Sequence, residues 1–338
     1  MRFILFFIAF MCVSVASLSI SMAGSAKVVR VGFFNEWPSP NLVAIAEKTY
    51  DAEMGVEIEW KAFETSYDIN RAFKNNELDI AYAHEIVPFM DAVSQGIDIV
   101  ATGIAISYPE LDACVISDHA DIDRQNIMDL EGRKVFVQTG GMTHYRLIRM
   151  LDHLGVDIQN MQVIAVGHGA AATKAVYRGM GALGCAYGGP VRQMQKKGRL
   201  LMSGDEMDEI GLKFFDFVTM SRAFVEEQAE LGKQFLEITN RFNDAFKRDP
   251  GSMKKKIATA SNLSLMTTNV FMKPFYFPDN SQQALAEWLG DGGAVEDLMR
   301  DLAAFLGKSG KLETPILDYS EFIDNDLLEQ AILDSDFQ

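Results

Sequence analysis

Apolar positions along the chain alternate between two spacings. Short apolar or alternating runs at 27–34, 56–63, 78–84 and 97–105 predict strands, and the segments between them, 40–55, 65–76 and 86–96, carry helical spacing. Segment 40–55 has Pro40 at its entry and Gly55 just past its end, and 65–76 opens with Thr65 three residues before Asp68, a capping pattern. Strand, helix and strand in repetition are the pattern of a mostly parallel sheet covered by helices. The rhythm restarts at 112–118. Strands at 135–139, 161–167 and 183–189 then enclose helices over 143–155, where Leu147, Leu151 and Leu154 share a stripe, and over 171–181. After a strand at 214–221 the pattern turns helical, at 226–249 and 281–290. The expected fold is α/β with two closely joined lobes, each a mixed, mostly parallel sheet flanked by helices. Residues 27–112 with 220–338 form one lobe and 113–219 the other.

The leading residues 1–26 stand outside this rhythm. Arg2 is followed by a long apolar stretch and then by small residues up to Ala23 and Ala26, the order of a secretory signal. The stretch also has the length of an uncleaved anchor. No later run is continuously apolar over a membrane-spanning length. With 47 acidic against 31 basic residues the net charge is −16, so the surface repels phosphate backbones and nucleic acid is excluded as a partner. Cys12 lies within the apolar leader. Cys114 and Cys185 then remain, too few for a disulfide framework, and two buried free thiols are expected.

Candidate chemistry gathers where strands end. The turn "TGGMTH", residues 139–144, follows a strand and opens a helix, whose first N–H groups have no internal acceptor and attract an anion. Gly140 and Gly141 allow close backbone approach, and Thr139, Thr143 and His144 add donors. The same turn also reads as an ordinary strand-to-helix connection with Thr143 as N-cap. It matches neither a Walker loop nor a dinucleotide fingerprint, and no cofactor is expected. His84, His119, His153 and His168 have no metal-ligand spacing. Glu36 with Trp37, and His84 with Glu85, follow two other strands, at the edge where open parallel sheets bind ligands. An aromatic beside carboxylates suits an ammonium, and a solvated turn with a core Trp is the plainer reading. Asp216, alone among Phe214, Phe215 and Phe217, needs a partner, either a protein donor or a cationic ligand.

Over essentially the whole length after the leader the chain resembles the periplasmic taurine-binding proteins of ABC importers, in the nitrate/sulfonate/taurine family of solute-binding proteins. The segments that carry the likeness are "MTHYRLIRMLDHLGV" (142–156), "DLEGRKVFV" (129–137), "FDFVTMSRAF" (215–224), "FLGKSGKL" (305–312) and "DYSEFI" (318–323). The resemblance implies a type II clamshell without catalytic activity, a monomer in the periplasm that delivers a small zwitterion to a membrane permease and its ATPase. It implies that the sulfonate lies against Thr139 to His144 and that Asp216 receives the amine, with Tyr108 and Tyr187 also at the ligand. Taurine binders often carry an aromatic where this chain has Gly188, and small residues where it has His84 and Glu85. These departures leave room for another aminosulfonate or a larger amine. Two other readings remain: a ligand sensor without transport, and an enzyme like the relatives that make a thiamin pyrimidine precursor with clustered Cys and His, a cluster this chain lacks.

Overall fold

The computed structural model describes residues 28–34 and 37–336. The leader read as a secretory signal, and Glu36, lie outside the described residues. The strands are β1 (Val28–Phe33), β2 (Glu57–Ala62), β3 (Ile80–Glu85), β4 (Ile99–Ser107), β5 (Asp112–Ser117), β6 (Lys134–Val137), β7 (Gln162–Ala165), β8 (Leu183–Tyr187), β9 (Gly198–Leu200) and β10 (Phe215–Ser221). They form two five-stranded sheets, ordered β2-β1-β3-β10-β4 and β7-β6-β8-β5-β9. The architecture is α/β with two lobes.

The two sheets repeat one plan. A strand–helix–strand trio pairs in parallel, β1 with β2 and β3 in one sheet and β6 with β7 and β8 in the other. The strand beside each trio is antiparallel, β10 against β3 and β5 against β8. Both antiparallel strands are the first that the chain makes after crossing from the other sheet. They therefore start at the edge where the parallel strands end, and both crossings pass along the cleft between the lobes. Phe215–Ser221 precedes the 220 boundary expected for the first lobe, yet it pairs with β3 and β4 of the first sheet. The strand–helix rhythm cannot say which sheet a returning strand will join. β3, β4 and β10 are buried almost throughout, which is why they read as nearly continuous apolar runs.

Local differences from the expected elements have local causes. The helix expected over 40–55 is two helices, Asn41–Ala46 and Thr49–Met54, separated by Lys48 in the left-handed region at φ 53°. The break turns Tyr50 into the core, where it stacks on Phe235 and hydrogen-bonds Thr239 at 2.8 Å. Thr65 caps the helix Ser66–Lys74 through the amide of Asp68, as its spacing predicts. In 281–290 the helix stops after Asn280–Gln283, because the Gln283 side chain turns inward to the amide of Ile104 and the carbonyl of Pro278. Cys114 and Cys185 are not free thiols. They oppose each other directly across β5 and β8 and are joined as a disulfide. The pairing follows from strand register, which the separation of the two cysteines in sequence does not reveal.

Candidate ligand-binding site

The acid side of the cleft is built on β3, β10 and the first crossing. Glu85 ends β3 and is the register partner of Asp216, the second residue of β10. Asp216 is fully buried; its Oδ1 accepts the Tyr108 hydroxyl and its Oδ2 has no partner within the protein. Burial pushes its carboxyl well above the ordinary range, and the Glu85 charge adds to that, while the Tyr108 hydroxyl pulls the other way. Burial also raises Glu85, with partial relief from the Ser66 hydroxyl. Both residues line a cavity of about 140 Å³ whose other walls include Ile86, Pro88, Tyr108, Phe214 and, from the second lobe, Met142. Among the described residues no basic side chain lines it. An unpaired carboxyl oxygen in such a place costs free energy unless a ligand or water meets it.

Aromatic rings continue the wall. Trp37 stacks on Phe275 with centroids 5.6 Å apart and lies 4.9 Å from Tyr108. Tyr108 meets Phe214 edge-on at 4.9 Å, and Tyr187, at the end of β8, meets Phe214 edge-on at 5.7 Å. Trp37, Tyr108 and Tyr187 thus belong to one aromatic series running from the first lobe to the second. His84 is placed differently. It is fully buried outside the cavity lining, its Nε2 2.8 Å from Asn70 Oδ1 and its ring between Phe73 and Phe89. Desolvation lowers its pKa to about 3, so it is neutral and packed.

The turn side is built on the helix Met142–His153. Gly140 takes φ 84°, in the region that favours glycine, and Gly141 is the N-cap residue. The N-cap is therefore not Thr143, which is in the first turn and donates its hydroxyl to Asp112 Oδ2 at 3.1 Å. The Gly140 amide donates to His144 Nδ1 at 3.1 Å. A ring nitrogen that accepts leaves the proton on Nε2, and burial lowers the His144 pKa further, so the ring is a neutral donor through Nε2. Thr139 is exposed at the start of the turn. The Met142 and Thr143 amides have no intrahelical acceptor, and Met142 borders the cavity.

Beneath this turn lies a buried charge cluster that the sequence reading missed. Arg146 is fully buried; its Nη2 donates to the Pro109 carbonyl at 2.9 Å, and its guanidinium lies 5.1 Å from the Phe214 ring centroid. It therefore grips both crossings, Pro109 in one and Phe214 in the other. Its Nε and Nη1, and Oδ1 of Asp112, have no protein partner. Burial raises Asp112 to about 6 against the pull of Arg146 and Thr143. The available signal was position: Arg146 sits beside Leu147 in a helix stripe that continues through Met150 and Leu151, and Asp112 opens an otherwise apolar strand. The opposite rim is closed by the helix Ala294–Lys308. Phe305 meets His144 and Tyr145 edge-on or tilted, Ser309 Oγ donates to the Gly140 carbonyl at 2.9 Å, and Arg149 pairs with Asp301 at 3.0 Å.

Two α/β lobes joined by two crossings, with a small cavity between them, make a periplasmic-binding-protein-like fold. The chain belongs to the NMT1/THI5-like family, whose model matches residues 39–252. By sequence it is similar to the taurine-binding periplasmic protein of Escherichia coli strain K12, with 24% identity over 296 residues, covering 84% of this chain and 88% of that protein. Its fold is similar to that of the periplasmic aliphatic sulphonate binding protein SsuA of Escherichia coli, with TM-score 0.67 and 16% identity over 90% of this chain and all of that one. The desulfurization enzyme DSZB shares the fold too, with TM-score 0.59 and 13% identity over 91% of this chain and 99% of that one. Among the described residues no helix is long and apolar enough to cross a membrane.

Proposed function

We propose that this protein is a periplasmic solute-binding protein of an ABC importer that holds taurine, or a closely related zwitterionic aminosulfonate, between its lobes and hands it to a permease and its ATPase. The observation that carries the reading is the unpartnered Asp216 Oδ2, next to Glu85, in a cavity lined by no cation and bounded opposite by the first turn of the helix Met142–His153. An ammonium answers the acids, and a sulfonate answers the first-turn amides. The similarity to a taurine-binding protein supports the same ligand class. The lobes meet through the crossings 107–112 and 209–215, and closing them around a ligand that touches both is the expected motion.

A binding role, rather than a reaction, is supported by the chemistry present. Cys114 and Cys185 are tied to each other inside the second sheet, and His84 is packed in the core, so neither supplies a nucleophile or base to the cavity. The test is a thermal-shift and calorimetry comparison of taurine with ethanesulfonate, which has the same sulfonate and no amine. Ligands that bind only the folded state raise its melting temperature. Taurine should stabilise strongly and ethanesulfonate weakly, because the latter leaves desolvated acids unpaired. Equal stabilisation by the two removes the zwitterion reading. Stabilisation by neither removes the aminosulfonate reading.

A further inference from the structure

We propose that Glu85 is the specificity-determining residue of this cavity: it carries the negative charge that meets the ligand's ammonium, while Asp216 keeps its proton and serves as a neutral hydrogen-bonding partner. The inference rests on the ligand reading above and reverses the role that family resemblance gives to Asp216.

Two carboxyls on adjacent strands in one apolar cavity do not both ionise readily, so the pair divides into one charged and one neutral member. Position decides which is which. Asp216 lies in the middle of the first sheet, between Phe215 and Phe217, both buried, and is itself fully buried. Among the described residues its carboxyl is hydrogen-bonded only by the Tyr108 hydroxyl. Glu85 is only partly buried and reaches solvent. It is also the N-cap residue of the helix Ile86–Ser94, where the helix dipole favours an anion. The Ser66 hydroxyl lies within reach, accepting from the Glu85 amide at 3.2 Å. Burial disfavours charge on Glu85 too, but partial solvent access and the Ser66 hydroxyl offset it there, and neither reaches Asp216.

The other titratable groups around the pair do not overturn this division. Tyr108 and Tyr82, both buried, have their pKa values pushed well up and are neutral donors. Tyr67, on the helix Ser66–Lys74, is raised as well, first by burial and then by the charges of Asp91 and Glu85. Tyr187 stands beyond Phe214. His84, next in the chain, is neutral and faces Asn70. Arg146 lies against Phe214, and the charges that act on it are those of Asp112 and Asp208. A protonated Asp216 has a use: with Oδ1 accepting from Tyr108, a proton on Oδ2 turns the unpartnered atom into a donor toward Glu85 or toward a ligand oxygen.

The experiment compares Glu85→Gln with Asp216→Asn by calorimetry with taurine, and follows the Asp and Glu side-chain carboxyl carbons of the ligand-free protein by NMR titration. Glu85→Gln removes the charge and should weaken taurine by about 30- to 100-fold, the loss of one charge-assisted bond. Asp216→Asn keeps a neutral donor and acceptor in place and should weaken it by less than about fivefold. Thermal melts of both variants establish that each is folded. The reverse order of effects overturns the proposal. So does an Asp216 carboxyl that titrates in the ordinary aspartate range, and this arm needs no ligand. If taurine fails to bind the wild type, the ligand reading falls, and the NMR titration still decides which acid holds the proton. An Asp216 pKa that stays unchanged in Glu85→Gln would show burial acting alone and would overturn the pairing.

Discussion

The two ends of the cleft treat their polar groups in opposite ways. On the first lobe, Asp216 Oδ2 is left without a protein partner, and Asp216 lines the cavity beside Glu85. On the second lobe, the side chains of the turn are already engaged: Thr143 donates to Asp112, His144 accepts from Gly140, and Ser309 donates to the Gly140 carbonyl. The first end leaves a carboxyl oxygen of Asp216 without a partner in the protein. The second uses its side chains as scaffolding and presents backbone amides. The threonine beside the glycine pair spends its hydroxyl on Asp112, which holds the helix start in place.

Breaking the scaffold of the second end should have the largest effect. Arg146→Met removes the group that holds the Pro109 carbonyl and lies over Phe214, and it leaves Asp112 buried without its compensating charge. The expected loss is about 3–5 kcal/mol in urea denaturation. The pH dependence of the same cluster is next. Asp112 has a folded pKa raised to about 6, above its unfolded value. The folded state thus holds this proton more tightly, and the contribution is present at low pH and lost as pH rises from about 4 to about 6, amounting to at most about 3 kcal/mol. Asp112→Asn should flatten that part of the stability profile. A profile unchanged by the substitution would place the titration elsewhere.

Thr143→Val sharpens the contrast between scaffold and contact. It deprives Asp112 of its hydroxyl donor and should cost about 1–2 kcal/mol of stability. Taurine affinity should change less than stability does, because no hydroxyl–ligand bond is lost. A large drop in affinity with unchanged stability would make Thr143 a ligand contact after all. The smallest effect belongs to the rim. Arg149 and Asp301 form a half-exposed pair, and Arg149→Ala should change stability by less than about 1 kcal/mol. Its signature is a larger radius of gyration in small-angle scattering of the ligand-free protein, since the pair ties the helix Met142–His153 to the helix Ala294–Lys308.

What could be read before the fold was known depended on whether the cause was local. Strand and helix spacing, the Thr65 cap, Gly55 at a helix end and the turn before Met142 all follow from residues within a few positions of one another. The suspicion attached to Asp216 was also local, since an acid among three phenylalanines has few ways to be stable. Arg146 escaped notice because a charged residue at helical spacing normally lies on the solvated face. Its burial depends on Pro109 and Phe214, which come from two distant crossings.

Sequence by itself determined the α/β class and the two-lobe architecture, because periodicity and chain direction are set residue by residue. Only the tertiary structure decided that β10 joins the first sheet and brings Asp216 to Glu85. It also decided that Cys114 faces Cys185, that His84 turns into the core, and that Thr143 serves Asp112. Each of these is a choice among partners far apart in the chain. Such choices rest on strand register and on which buried polar atoms find one another, and neither leaves a periodic mark in the sequence.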